Sequence, residues 1–100
     1  MIREIEICPI CHKQYAEVEH HLVFGSSLRR LAEEDNLKIK ICNDCHTLGA
    51  KISRIHDNTA AEALSKMLGQ ALYENNMLAN GATPTQARKN FKERYGISYL

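Results

Sequence analysis

Two C-x2-C pairs thirty residues apart, two short alternating runs and two helical runs behind capping boxes predict a small α+β fold held by a metal staple, with additional C-terminal helices. The length, 100 residues, sets one domain over residues 1–100. A domain this short buries a modest share of its surface and commonly needs a metal or disulfide to hold it. Hydrophobic residues at 44% and charged residues at 25% place the chain among globular rather than disordered sequences. With no Trp, four Tyr and two Phe, the core is expected to consist mainly of Leu, Ile, Ala and Met.

The elements follow in order. Cys8-Pro9-Ile10-Cys11 reads as a turn between short extended pieces. Tyr15–Val23 is the main strand expected, ended by Gly25-Ser26-Ser27. Ser26 or Ser27 can cap a short helix through Leu28, Leu31 and Ala32, which share one face, and Asn36 would end it. Leu37–Ile41 alternates cleanly and reads as a second strand. Cys42 to His56 is helical or irregular. Thr59-Ala60-Ala61-Glu62 has the form of a capping box and opens a helix whose apolar positions are Ala61, Leu64, Leu68, Ala71 and Leu72, with the leucine stripe expected in the core. Asn75, Asn76, Asn80 and Gly81 are read as a loop. Thr83-Pro84-Thr85-Gln86 is a second capping box with Pro at the first helical position, and Gly96 can close the last helix.

Charge and hydropathy narrow the partners. A net charge of +1 is too small to argue for nucleic acid by itself, so a DNA partner would require basic residues gathered on one face. No apolar run is long enough for a transmembrane helix, so no membrane partner is expected. The first six residues lack a charged-then-apolar signal pattern, which points to a cytoplasmic location. Four cysteines in a reducing compartment favour metal over disulfides.

Cys8, Cys11, Cys42 and Cys45 suit tetrahedral zinc, because each two-residue gap curls a pair of thiolates toward one ion. A rubredoxin-like iron site stays open, since ligand type alone does not exclude iron. Four thiolates leave no open position, so this metal is structural. The histidines are also grouped. His20 and His21 end the first strand, His46 follows the second cysteine pair, and His56 comes ten residues later. Consecutive strand residues point to opposite faces, so one imidazole of the vicinal pair can be a ligand while the other acts as a base. His12, inside the first cysteine pair, reads as a surface residue.

Cys8-x2-Cys11, Glu19-His20-His21, Asn36-Leu37 and Ile41-Cys42-x2-Cys45-His46 together resemble the zinc-stapled branch of the HNH endonucleases over residues 5–58. His21-Leu22-Val23-Phe24-Gly25, Arg29-Arg30 and Ile55-His56-Asp57-Asn58 are similar to segments of small phage-type HNH proteins, and Gly69-Gln70 with Tyr73-Glu74 more loosely so. The resemblance implies a treble-clef, ββα-metal core over residues 5–58; the capping boxes add a packing helix over 59–75 and a C-terminal helix and tail over 83–100. It also implies residue roles. His21 would be the general base, and Asn36 would orient the loop and through it the base. His20, His46 and His56 would hold a catalytic divalent cation (Mg2+, Mn2+, Ni2+ or Zn2+). The family sets the last two histidines a few residues apart on one helix. Here ten positions separate them, so either Thr47–Ile55 loops out or one of the two is not a ligand.

The activity implied is hydrolysis of DNA phosphodiester bonds, with Arg29, Arg30, Lys51 and Arg54 as candidates for phosphate contact. The competing reading is a non-catalytic zinc module that binds nucleic acid or protein. Oligomeric state is open.

Overall fold

The computed structural model describes residues 6–50, 52 and 54–100. The order of elements is β1 (Val18–His21), α1 (Leu28–Glu34), β2 (Lys38–Ile41), a π-helical turn (Asp44–Leu48), α2 (Thr59–Ala79) and α3 (Pro84–Tyr95). β1 and β2 form a two-stranded antiparallel sheet, so the fold is a small mixed α+β one. The chain packs as two compact units, each made of two stretches: residues 1–20 with 39–62, and residues 21–38 with 63–100.

In the first unit a bridge between Ile7 and Tyr15 closes the loop that carries Cys8 and Cys11. The expected strand over Tyr15–Val23 is shorter than its alternation suggested. Tyr15 is used in that isolated bridge, and the strand ends where Leu22 and Val23 are both buried in succession. The unit's buried cluster is Cys8, Ile41, Cys42, Cys45 and Ile55, with Cys11, Ile39 and Ala61 packed against it. Three of those five buried residues are cysteines, so there is little apolar mass to hold the two stretches together without help from the thiols.

The second unit has an aromatic core. Val23, Ala32, Leu37, Phe91 and Tyr95 are buried, with Leu28, Leu31, Tyr73 and Tyr99 against them. Phe91 and Tyr95 stack at 4.3 Å, and Tyr73 meets Phe91 edge-on at 5.3 Å. Few aromatics therefore do more than the composition implied, while Met67 stays 37% exposed. The Tyr95 hydroxyl donates to Asp35 at 2.6 Å and Arg94 donates to the same carboxylate at 2.7 Å, which ties α3 to the end of α1. α1 ends as the sequence indicated. Asn36 adopts a left-handed φ of 57°, its amide bonds to Glu33 O at 3.2 Å, and the Leu37 amide returns to Ala32 O at 2.8 Å. That pair of bonds satisfies the last carbonyls of the helix. At the other end Ser27 occupies the capping position, but its side chain makes no capping bond, and the Leu28 amide is met by Gly25 O at 3.0 Å.

α2 departs from expectation in three ways. Its cap is Asn58, whose Oδ1 accepts from the Ala61 amide at 3.2 Å, one residue before the expected Thr59. It runs through Asn75 and Asn76 to Ala79, because both asparagines lie on exposed positions of the helix; the break comes at Gly81, with φ of 99°. It also buries the other face. Leu64, Leu68 and Leu72 are 63%, 45% and 37% exposed, while Ser65, Gly69 and Gln70 are buried. The reason is close approach. A Cβ at Gly69 would stand 2.7 Å from Val23 Cγ2 and 3.1 Å from Leu22 Cβ, and Ser65 Oγ donates to Leu22 O at 2.9 Å. Gln70 then anchors the tail, donating to Ser98 Oγ at 3.0 Å and accepting from the Tyr99 amide at 2.6 Å. α3 carries both halves of its capping box, Pro84 in its first turn and left-handed Gly96 at its end, as its sequence pattern required. Among the described residues no helix is long and apolar enough to cross a membrane.

Gly69→Val is expected to destabilise the fold by about 1–3 kcal/mol, because the branched side chain must displace buried Leu22 and Val23. Thermal unfolding followed by circular dichroism should show a Tm lower by roughly 5–20 °C; an unchanged Tm would mean that α2 does not lie this close to them.

Candidate functional site

The first cysteine pair is shaped by its loop. The Cys8 amide donates to Gln14 O at 2.8 Å, the His12 amide donates to Cys8 O at 3.0 Å, and His12 takes a left-handed φ of 58°. The loop thereby folds back over Cys8 and Cys11. The second pair straddles the end of β2 and the π-helical turn. There the Cys45 amide donates to Cys42 Sγ at 3.4 Å and the His46 amide to Cys42 O at 3.1 Å. Gln14 Nε2 donates to Asp44 Oδ2 at 2.7 Å and links the two loops.

All four cysteines are free of disulfides, and their sulfurs lie within 4.8 Å of one another. Cys11 Sγ and Cys42 Sγ are 3.8 Å apart. Four sulfurs bound tetrahedrally at about 2.3 Å from a zinc ion stand about 3.8 Å from each other, so the set fits such an ion. Burial pushes the Cys8 thiol up, but N–H groups of Cys11, Cys42 and Ile10 outweigh it and bring Cys8 down to about 6. Backbone N–H groups of Lys13 and Gln14 lower Cys11. Cys42 and Cys45 are pushed up, first by burial and then by neighbouring sulfurs. The first pair is thus eased toward the thiolate by backbone donors, while burial holds the second pair back.

A second group lies in the same unit. His20 on β1, His46 on the π-helical turn and His56 beyond it each bring one ring nitrogen within 4.8 Å of the others, so they too could hold a metal ion. The rings meet edge to face, with centroids 5.4, 5.2 and 4.6 Å apart for 20–46, 20–56 and 46–56. His46 Nε2 and His56 Nε2 are 3.1 Å apart. Two nitrogens each about 2.1 Å from one ion stand about 3.0–3.4 Å apart, depending on geometry, so this spacing also fits a metal. His56 Nδ1 contacts Glu62 Oε2 at 3.5 Å. A carboxylate there favours the proton on Nδ1 and leaves the Nε2 lone pair aimed at His46.

The ten-residue gap between His46 and His56 is resolved by a loop. The Ile55 amide donates to Cys45 O at 2.7 Å and the His56 amide to His46 O at 3.2 Å, which brings the chain back beside the turn it left. Arg54 fastens that loop: Nε donates to His56 O at 3.1 Å, Nη1 to Thr47 O at 3.2 Å and to Gly49 O at 3.4 Å, and Nη2 to Asp57 at 3.1 Å. The side chain read as a phosphate contact is thus engaged in holding His56 in place.

His21 belongs to the second unit. Its Nε2 lies 2.9 Å from Glu33 Oε2, and Arg29 Nε donates toward its Nδ1 at 3.5 Å. Lys38 Nζ sits 3.0 Å from the same carboxylate. Lys38 first, and His21 second, hold Glu33 below the usual carboxylate range. Arg29 and Arg30 are exposed on α1, and Asn36 is exposed at its end. Lys51 lies outside the described residues. Sequence reasoning missed Glu33 and Glu62, the two carboxylates against histidines. Glu62 had been read as the acid of a capping box, and its place six residues after His56, in the first turn of the next helix, was the available signal. Glu33 had none, since its partner lies twelve residues back across a loop.

The chain matches no family model, no curated protein and no solved structure.

Purified protein is expected to carry zinc, and Cys45→Ala to lose it. Structural zinc contributes roughly 10 kcal/mol or more to small domains, so this variant and chelator-treated wild type should both lose dispersed amide signals for residues 6–20 and 39–62. Metal analysis with a heteronuclear NMR spectrum checks this, and a well-dispersed zinc-free protein would show that the thiols are not the staple.

Proposed function

We propose that this chain is a metal-dependent DNA endonuclease of the HNH kind, with His21 as general base and a divalent ion held by His20, His46 and His56. The observation that supports it most is the convergence of three imidazoles from a strand, a π-helical turn and a loop, two of them with Nε2 atoms 3.1 Å apart. Three neutral imidazoles leave coordination positions open, as in metals that do chemistry, whereas four thiolates close the sphere. The order of parts agrees with the resemblance: a cysteine pair, a strand, a connection carrying α1, a second strand, then the second cysteine pair leading into a helical turn. We read this as a treble-clef, ββα-metal finger with zinc on Cys8, Cys11, Cys42 and Cys45.

When bound, the second ion (Mg2+, Mn2+, Ni2+ or Zn2+) supplies Lewis-acid charge to the phosphate and to the departing oxygen. The chain's own residues do the rest. His21 takes a proton from water as the water oxygen forms its bond to phosphorus. The bond from phosphorus to the 3′ oxygen breaks, its electron pair stays on that oxygen, and solvent water protonates it. His21 then returns its proton to solvent. Glu62 keeps the His56 ring in register, and Arg29 and Arg30 offset phosphate charge from α1. Asn36 acts on His21 only through the turn that ends α1. A non-catalytic zinc module would use the cysteines equally well, but it gives the three converged imidazoles no task.

The test is conversion of supercoiled plasmid with Mg2+, Mn2+, Ni2+ or Zn2+ added, alongside metal counts. Wild type is expected to cut and to bind a second ion, which His56→Ala should lose while keeping the cysteine zinc. His21→Ala should lose about 10²–10⁴-fold in rate with both metals retained. No cutting by wild type, or undiminished cutting by His21→Ala, would leave only a zinc-stabilised binding domain.

A further inference from the structure

We propose that Glu33 is the positioning residue of His21: it holds the proton on Nε2 and so makes Nδ1 the atom that accepts a proton from water. The inference rests on the nuclease reading, which names His21 as base without saying which nitrogen acts.

Two contacts favour the same tautomer of the neutral ring. Glu33 Oε2 lies 2.9 Å from Nε2. An ionised carboxylate only accepts, so the hydrogen in that bond belongs to the imidazole. On the other side Arg29 Nε, which only donates, points at Nδ1 at 3.5 Å. A donor against Nδ1 requires a lone pair there. A neutral imidazole carries one proton, and both neighbours assign it to Nε2. The opposite tautomer would set a lone pair against a carboxylate and a hydrogen against a guanidinium.

The arrangement follows from the helix. Arg29 and Glu33 are four residues apart on α1 and therefore share a face, so one short helix presents a donor and an acceptor to the two nitrogens of one ring. Lys38, at the start of β2, contacts Glu33 at 3.0 Å and keeps the carboxylate ionised, hence an acceptor. Arg29 Nε stands at the limit of hydrogen-bond length from Nδ1, so it can leave that nitrogen cheaply. A phosphate that attracts Arg29 therefore opens the nitrogen that the attacking water needs.

A merely structural surface cluster predicts something different. The Glu33 side chain is 52% exposed, and exposed ion pairs contribute little to stability, so its removal should leave the fold intact whichever role it has. The deciding readout is the tautomer. In the zinc-loaded full chain labelled with 15N, a long-range proton–nitrogen spectrum of neutral His21 should show the Nε2–H form. Glu33→Ala should shift it toward a mixture and lower kcat about ten- to hundred-fold, with KM, metal content and Tm unchanged. Glu33→Gln, which keeps an acceptor, should hold the Nε2–H form. An Nδ1–H form in wild type, or the same tautomer in wild type and Glu33→Ala, overturns the proposal. Expected spectra from a wild type that cuts no DNA would instead overturn the nuclease reading, so the two failures are separable.

Discussion

The four-sulfur cluster is the constraint on which the first unit depends. That unit is assembled from two distant stretches of chain, and its buried cluster is little more than Ile41, Ile55 and three of the cysteines themselves. Burial of two isoleucines cannot offset the cost of ordering both stretches. A cation shared by Cys8, Cys11, Cys42 and Cys45 can, because it converts four mutually repelling sulfurs into the strongest bonds in the unit.

Everything that places the imidazoles is measured from those cysteines. His46 follows Cys45 directly, and the return of the chain to His56 is registered by the bond from the Ile55 amide to Cys45 O. Arg54 then closes the loop on itself with donors to three carbonyls and a carboxylate. His20 arrives on β1, paired to the strand that ends one residue before Cys42. Three side chains from separate parts of the sequence share one small volume because the sulfurs have already fixed the segments that bear them.

What could be read from the sequence was what is governed locally. The cysteine spacing, the capping box at Thr83 with Pro84, the left-handed ends at Asn36 and Gly96, and the grouping of His20, His46 and His56 all involve short covalent distances or residue types with one dominant use. What could not be read depended on packing between distant segments. Apolar character picks Leu64, Leu68 and Leu72 as the inner face of α2. The helix instead turns Ser65 and Gly69 inward, since only small residues admit Leu22 and Val23 so closely. The same blindness hid the carboxylate beside His21 and the acceptors around Arg54, because a charge in a loop carries no mark of the carbonyls it will meet.

The vicinal histidines show how a strand separates environments. One step along β1 reverses the side chain's direction. His20 is 1% exposed and faces two other imidazoles, while His21 meets an acid and a guanidinium from α1. A ligand must offer a lone pair and never release it, whereas a base must gain and lose a proton in each cycle. These demands conflict in one environment, since a group that favours the charged ring weakens the metal bond. The two rings point in opposite directions, so His20 stands among imidazoles while His21 stands between a carboxylate and a guanidinium. Two carboxylates thus meet histidines in different settings: Glu62 contacts His56, whose other nitrogen faces His46, and Glu33 contacts His21, whose other nitrogen faces Arg29.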